Sequence, residues 1–220
     1  MKRIKQIALS VVGMAFIATG FVACNSDDND EIVTNHDELN SVKSQQEDYF
    51  SSKRKLLSSV ESQQESFNLF KDKVSNDKGN YEDVLKEANS LNNQLVIDSQ
   101  RLFASLGVTS EEISDILGSE NSSDIIIAAL AFIAYEEAKG EDPNENLQEE
   151  ANIIAYSAQN KYIDCAIEAL GLNIFDGVRN GAFLTKKAAI QFLKKAAVRL
   201  LGPIGTAITV AEYGWCLGRS

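Results

Sequence analysis

The residues able to do chemistry in this chain are few. His36 is the only histidine, which removes Ser-His-Asp and Cys-His catalysis and any multi-histidine metal site. Cysteine occurs at Cys24, Cys165 and Cys216 with no Cys-x-x-Cys spacing, so dithiol redox catalysis and zinc binding lack support. Adjacent carboxylates are plentiful, as in Glu111/Glu112, Glu136/Glu137 and Glu149/Glu150. A glycosidase needs two carboxyl groups facing each other across a cleft. These pairs fall on polar helix faces, where solvated charge is the expectation. There is no phosphate-binding glycine loop. The acidic run Asp27 to Glu31 lacks the Asp-x-Asp-x-Asp-Gly spacing of a calcium loop. The expectation is therefore no catalytic residue, no metal and no cofactor.

The clearest charge pattern lies near the C-terminus. The chain has a formal charge of −11, and a surface that acidic disfavours nucleic acid as a partner, because phosphates are repelled. Yet between Gly177 and Ala211 stand Arg179, Lys186, Lys187, Lys194, Lys195 and Arg199 with no acidic residue. On a helix from Thr185 to Leu201, Lys187, Gln191, Lys194, Lys195 and Arg199 share an arc of about 140°. Ala189, Ile190, Leu193, Ala196, Ala197, Leu200 and Leu201 take the far side. Gly202-Pro203 reads as the end of that helix and the start of another. This last helix, Ile204 to Leu217, carries only the charge of Glu212. Three readings of the hairpin 185–217 follow. It completes a soluble bundle, with its lysines balancing acidic helices. Or residues 177–217 are membrane-active, in a composition that resembles pore-forming bacteriocins and toxins. Or the cations meet an acidic protein or polymer.

The elements that position these residues are helical. Proline occurs only at Pro143 and Pro203, strand-type alternation is scarce, and long stretches of Glu, Lys, Ala, Leu and Gln favour helix. The predicted fold is all-α: a long antiparallel helical hairpin over 37–107, coiled-coil-like, followed by a helical bundle over 108–220. The first helix spans about Asp37 to Ser75, roughly 58 Å at 1.5 Å per residue. Positions alternating by three and four carry Leu39, Val42, Gln46, Tyr49, Lys53, Leu56, Val60, Gln63, Phe67, Phe70 and Val74, a seam with three polar members. Asp77-Lys78-Gly79-Asn80 is a turn. Asn80 caps a second helix reaching about Leu106, with Tyr81, Val84, Ala88, Leu91, Leu95 and Leu102 as its stripe. The hairpin either stands off as a stalk or joins one globular bundle.

Gly107 ends the hairpin. Thr109-Ser110-Glu111-Glu112 is a capping box opening a short helix to Leu117, and Gly118 ends that. Ser122 or Ser123 caps a helix to about Lys139. Its centre, Ile125 to Tyr135, has no polar group except the tyrosine hydroxyl. Eleven such residues are too few to span a bilayer, so this is predicted to be the most buried helix. After a loop over 140–146, a helix from Leu147 to Leu170 carries Leu147, Ala151, Ile154, Ala158, Tyr162, Cys165 and Ala169 on one stripe. The segment 172–181 is irregular or holds a short turn of helix.

The N-terminal residues speak to location. Met1 to Lys5 is basic, and no charge occurs from Gln6 to Ser26. This is the layout of a secretory signal peptide over 1–23, with an uncleaved membrane anchor as the alternative. Phe21-Val22-Ala23-Cys24 resembles the lipobox of bacterial lipoproteins. The resemblance implies a diacylglyceryl group on the Cys24 thiol, cleavage before Cys24 and acylation of the new amine. Two or three acyl chains make release from a bilayer very slow, where one holds only marginally. Residues 24–36 then form an acidic tether. Asn25-Ser26-Asp27-Asp28-Asn29-Asp30-Glu31 resembles the export signal of surface-exposed lipoproteins of Bacteroidota, which implies an outer-membrane protein exposed at the cell surface, with a periplasm-facing outer-membrane lipoprotein as the alternative.

With Cys24 acylated, Cys165 and Cys216 remain. An exported pair in an oxidising compartment is expected to form a disulfide, with two buried apolar thiols as the alternative. The leading functional expectation is a non-enzymatic, lipid-anchored helical module that contacts a protein or envelope partner. A bacteriocin-like effector is the first alternative, and an enzyme of unrecognised type the second.

Overall fold

The computed structural model describes residues 36–76, 80–140, 161–171, 175 and 184–219. The expected signal peptide, Cys24 and the tether before His36 lie outside these, as do residues 147–160 and Arg179. The described elements are eight helices without a strand, as the composition predicts.

Helices α1 (His36–Ser62) and α2 (Gln64–Ser75) follow the seam read from the sequence: Tyr49, Lys53, Leu56, Val60, Phe67 and Phe70 are buried. The single helix expected from Asp37 to Ser75 is kinked at Gln63, where φ is −101° and ψ 2°. The ladder nevertheless runs through: Gln63 N–H donates to Ser59 O at 3.3 Å and Phe67 N–H to Gln63 O at 3.0 Å. The Ser62 hydroxyl donates to the same Ser59 carbonyl at 3.2 Å, a side-chain competition that bends helices.

Asn80 caps α3 (Tyr81–Ser105), its side chain accepting from Glu82 N–H. The pairings Lys73–Glu87 and Ser59–Asp98 run in opposite directions along the two chains, so α3 returns antiparallel to α1 and α2. Of the predicted stripe, Val84, Ala88, Leu95 and Leu102 are buried, whereas Tyr81 is 68% exposed. The helix also buries Asp98, which continues the stripe between Leu95 and Leu102, and Asn92 and Ser99, which lie off it. A second helix covers that face: Asn92 Nδ2 donates to Pro203 O at 2.8 Å.

Gly107 and Gly118 adopt left-handed φ values of 79° and 77°, the conformation at which helices commonly stop. Between them Thr109 and Glu112 form the expected capping box of α4 (Ser110–Leu117). In α5 (Asp124–Gly140) every side chain from Ile125 to Tyr135 is buried. Phe132 meets Tyr49, Phe103 and Phe192 edge-on at 6.1, 6.4 and 5.7 Å between ring centroids, a favoured aromatic geometry.

Helices α6 (Lys161–Leu170), α7 (Lys186–Ala197) and α8 (Gly202–Arg219) complete the bundle. Helix α8 packs against α2, α3, α5 and α6, and α7 against α4 and α5. The C-terminal pair is therefore covered by other helices. One hydrophobic cluster joins Leu56, Phe70 and Leu95 to Ile133, Leu193 and Val210. Of the two arrangements open to the hairpin, the described residues form the second: it shares its core with the helices after residue 108, within one unit Asp37–Ser220. Among the described residues no helix is long and apolar enough to cross a membrane.

Cys165 and Cys216 are joined by a disulfide, with Cα atoms 5.3 Å apart, tying α6 to α8 across 51 positions of sequence. Because a crosslink of this span restricts the unfolded chain, replacing both cysteines by serine is expected to lower stability by about 4 kcal/mol. Urea unfolding followed by circular dichroism measures this; an unchanged midpoint would mean that the crosslink constrains nothing the fold does not already hold.

Candidate functional site

The cationic helix is built as an amphipathic element. The Thr185 side chain caps α7 by accepting from Ala188 N–H, and Ala189, Phe192, Leu193 and Ala196 are buried beneath it. Phe192 was not among the apolar residues expected on that side. The helix stops at Ala197 rather than Leu201, so Leu200 and Leu201, expected beneath the helix, are exposed instead. The cause is tertiary: the Asp124 carboxylate accepts from Leu201 N–H at 3.1 Å, holding the chain in a turn.

The five described cations do not act as a set. Lys186 pairs with Glu112 at 2.7 Å, linking α7 to α4. Bonding from Lys186, then from the Thr109 backbone, holds the Glu112 carboxyl below its ordinary range. Lys187 and Lys194 are exposed, and Lys195 and Arg199 half-buried. Partial burial pulls the Arg199 guanidinium below its ordinary pKa. Among the described residues no carboxylate lies within ion-pair distance of these four. Arg179 lies outside the described residues.

Glu136 and Glu137 correct the expectation that carboxylate pairs merely face solvent. Both bind the ammonium of buried Lys53, Glu137 at 2.5 Å. The Tyr49 hydroxyl donates to Glu136 at 3.3 Å. Burial, with the nearby Glu136 charge, pushes the Tyr49 phenol far above its ordinary range. This cluster joins α1 to α5 and leaves each polar group engaged with another. Asp98 is a second buried carboxylate, accepting from Ser59 Oγ at 2.8 Å, Gln94 Nε2 at 3.1 Å and Arg101 at 3.2 Å. Lys53 had a visible signal, a cation inside an apolar seam, which demands a buried partner. Glu149 and Glu150 lie outside the described residues. Among the described residues no three His, Cys, Asp or Glu side chains converge to hold a metal ion.

A groove of about 540 Å³ runs between α2 and α8, lined by Glu61, Gln64, Glu65, Asp72, Trp215 and Arg219 among others. Trp215 is 54% exposed, with the Arg219 guanidinium 5.8 Å from its ring centroid. Gln64 forms the floor, donating to Ala211 O at 2.9 Å and Asn68 Oδ1 at 3.0 Å. A Cβ on Gly214 would lie only 1.7 Å from Gln64 Oε1, so glycine is what lets this amide close onto α8. Sequence reasoning passed over Trp215 because α8, with Glu212 as its only charge before Arg219, reads as almost wholly apolar.

Comparison with protein-family models, characterised proteins and solved structures finds no match to this chain.

Three outcomes are expected from the polar interior. Lys53→Met leaves two carboxylates without their cation and should cost about 3 kcal/mol in urea unfolding. Adding Glu136→Gln and Glu137→Gln should restore most of it; no recovery would assign the loss to packing. Tyr213 is buried with no hydrogen-bond partner for its hydroxyl among the described residues, so Tyr213→Phe should be neutral or stabilising by about 1 kcal/mol. Burial raises the phenols of Tyr49 and Tyr213 above the ordinary value of 10.0. Their contribution is thus full below about pH 10 and is lost as pH rises further. Alkaline unfolding, followed by absorbance and circular dichroism, should be coupled to ionisation of these phenols, and Tyr213→Phe should flatten the decline.

Proposed function

We propose that this chain is an exported lipoprotein, anchored in the outer membrane through acyl chains on Cys24 and exposed at the cell surface. Its helical domain serves as a non-enzymatic binding or structural module for a protein or envelope partner. The observation that carries the reading is the uncharged run ending in Phe21-Val22-Ala23-Cys24 behind a basic start. The acidic residues Asp27, Asp28, Asp30 and Glu31 just after it support surface display. The Cys165–Cys216 disulfide is in keeping with an oxidising compartment.

A second reading, a bacteriocin-like effector acting through residues 177–217, draws support from Lys187, Lys194 and Lys195 of α7, which have no carboxylate within ion-pair distance among the described residues. It requires α8 to leave a position where Ala207, Val210, Ala211 and Tyr213 are buried and Cys216 is crosslinked. Dye release from anionic liposomes by the oxidised protein tests it, and silence at micromolar protein counts against it.

The anchor is tested by growing expressing cells with an alkyne fatty acid and mapping the label by mass spectrometry. The expected result is a labelled peptide beginning at Cys24, and loss of label with Cys24→Ser. An unmodified residue 24 in the membrane fraction would refute the reading. Replacing the four acidic residues of the tether by their amides should keep the label but protect the protein from protease added to intact cells.

A further inference from the structure

Leu200, in the turn between α7 and α8, is the one described non-glycine residue with a positive φ, at 41°. That region strains a residue bearing a Cβ and is ordinarily filled by glycine or asparagine. The strain is not offset by burial, since the Leu200 side chain is 70% exposed. Beside it Val198 is 85% and Leu201 36% exposed. The turn is held on both sides. Arg199 N–H donates to Ala196 O at 2.9 Å, and Leu201 N–H to the buried Asp124 carboxylate at 3.1 Å. Exposure here belongs to a fixed loop rather than a fraying end, and strained residues held by their surroundings cluster where a protein meets a ligand or partner.

The charges beside the turn have the matching sign. Lys194, Lys195 and Arg199, on the last turn of α7 and just past it, have no carboxylate within ion-pair distance among the described residues, in a chain whose formal charge is −11. Projecting aliphatic side chains rimmed by long cations match the boundary of an anionic bilayer. The aliphatics enter between headgroups, and the lysine and arginine stems reach back to the phosphates. An acidic protein would satisfy the cations equally well but would also need an apolar hollow to receive the aliphatic tip.

We propose that the α7–α8 turn docks the folded domain on an anionic lipid surface through Val198, Leu200 and Leu201, with Lys194, Lys195 and Arg199 on the headgroups. The contact stands on the geometry of the turn and does not need Cys24 to be acylated; an anchor would raise the local concentration of bilayer.

The test uses the chain from Asn25 to Ser220, oxidised. Among the described residues the buried ones lie between Tyr49 and Gly214, within the unit Asp37–Ser220, which this piece keeps whole. It is floated with vesicles of phosphatidylcholine alone or mixed with phosphatidylglycerol. Binding is expected only to the anionic vesicles. Leu200→Gly relieves the backbone strain, so this variant should melt no lower than its parent while its vesicle affinity falls about tenfold. Lys194→Glu with Lys195→Glu should weaken binding at least about fivefold for each charge. No flotation at millimolar lipid, or equal binding to both vesicles, would overturn the proposal. So would anionic binding unchanged by Leu200→Gly and Val198→Ser, the result of a purely electrostatic contact of the kind an acidic protein makes. Fatty-acid labelling of the full chain at Cys24 reports on the anchor separately, so either reading can fail alone.

Discussion

A helix that is apolar all round must be surrounded, and α5 imposes that condition on the rest of the chain. From Ile125 to Tyr135 no side chain reaches solvent. No single neighbour can cover such a helix, because each packed helix shields only a stripe. The structure meets the condition with α3, α4, α6, α7 and α8 packed against α5, and with α1 meeting it through Tyr49 and Lys53. The hairpin α1–α3 cannot stand apart as a stalk, because its apolar seam is part of the wall that α5 needs. The amphipathic character of α7 has the same origin: Phe192 meets Phe132 and Tyr135 beneath it, and its lysines are left for the other side.

Around that apolar centre, buried polar contacts set the register. Apolar packing alone tolerates sliding of one helix on another, whereas a buried charge lacking its partner is strongly disfavoured. Lys53 between Glu136 and Glu137 permits one alignment of α1 on α5, and Asp98 with Ser59 permits one alignment of α1 on α3. Asn92 does the same for α3 against the start of α8 through Pro203. The disulfide then fixes the far end of α8 to α6.

What was legible in the sequence was whatever depended on near neighbours. The seam from Tyr49 to Phe70 follows from period and polarity. The Thr109–Glu112 box and the stops at Gly107 and Gly118 follow from local backbone chemistry. The burial of α5 follows from its composition. What escaped depended on distant residues. Glu136 reads as a solvated carboxylate until Lys53, 83 positions away, is brought to it. Helix α7 reads as continuing to Leu201, and the carboxylate that ends it early lies 77 positions upstream. That one contact turned Leu200 and Leu201 from expected core into exposed surface. Which of the C-terminal cations the fold consumes, as Glu112 consumes Lys186, is a tertiary fact.

The burial of α8 also constrains how this domain can meet a bilayer. Withdrawing the helix would expose Ala207, Val210, Ala211 and Tyr213 together with the surfaces they cover on four other helices. Each large apolar side chain returned to water costs roughly 1.5 to 3 kcal/mol, and a whole domain is stable by only about 5 to 15 kcal/mol. Extracting α8 is thus comparable in cost to unfolding the bundle, before the disulfide is counted. A route that inserts this helix must first break the fold, whereas a contact made by the exposed turn that precedes it leaves every core residue in place. The proposed lipid contact is therefore one made by the surface of the intact domain, at the aliphatic turn beside cations that have no carboxylate within ion-pair distance among the described residues.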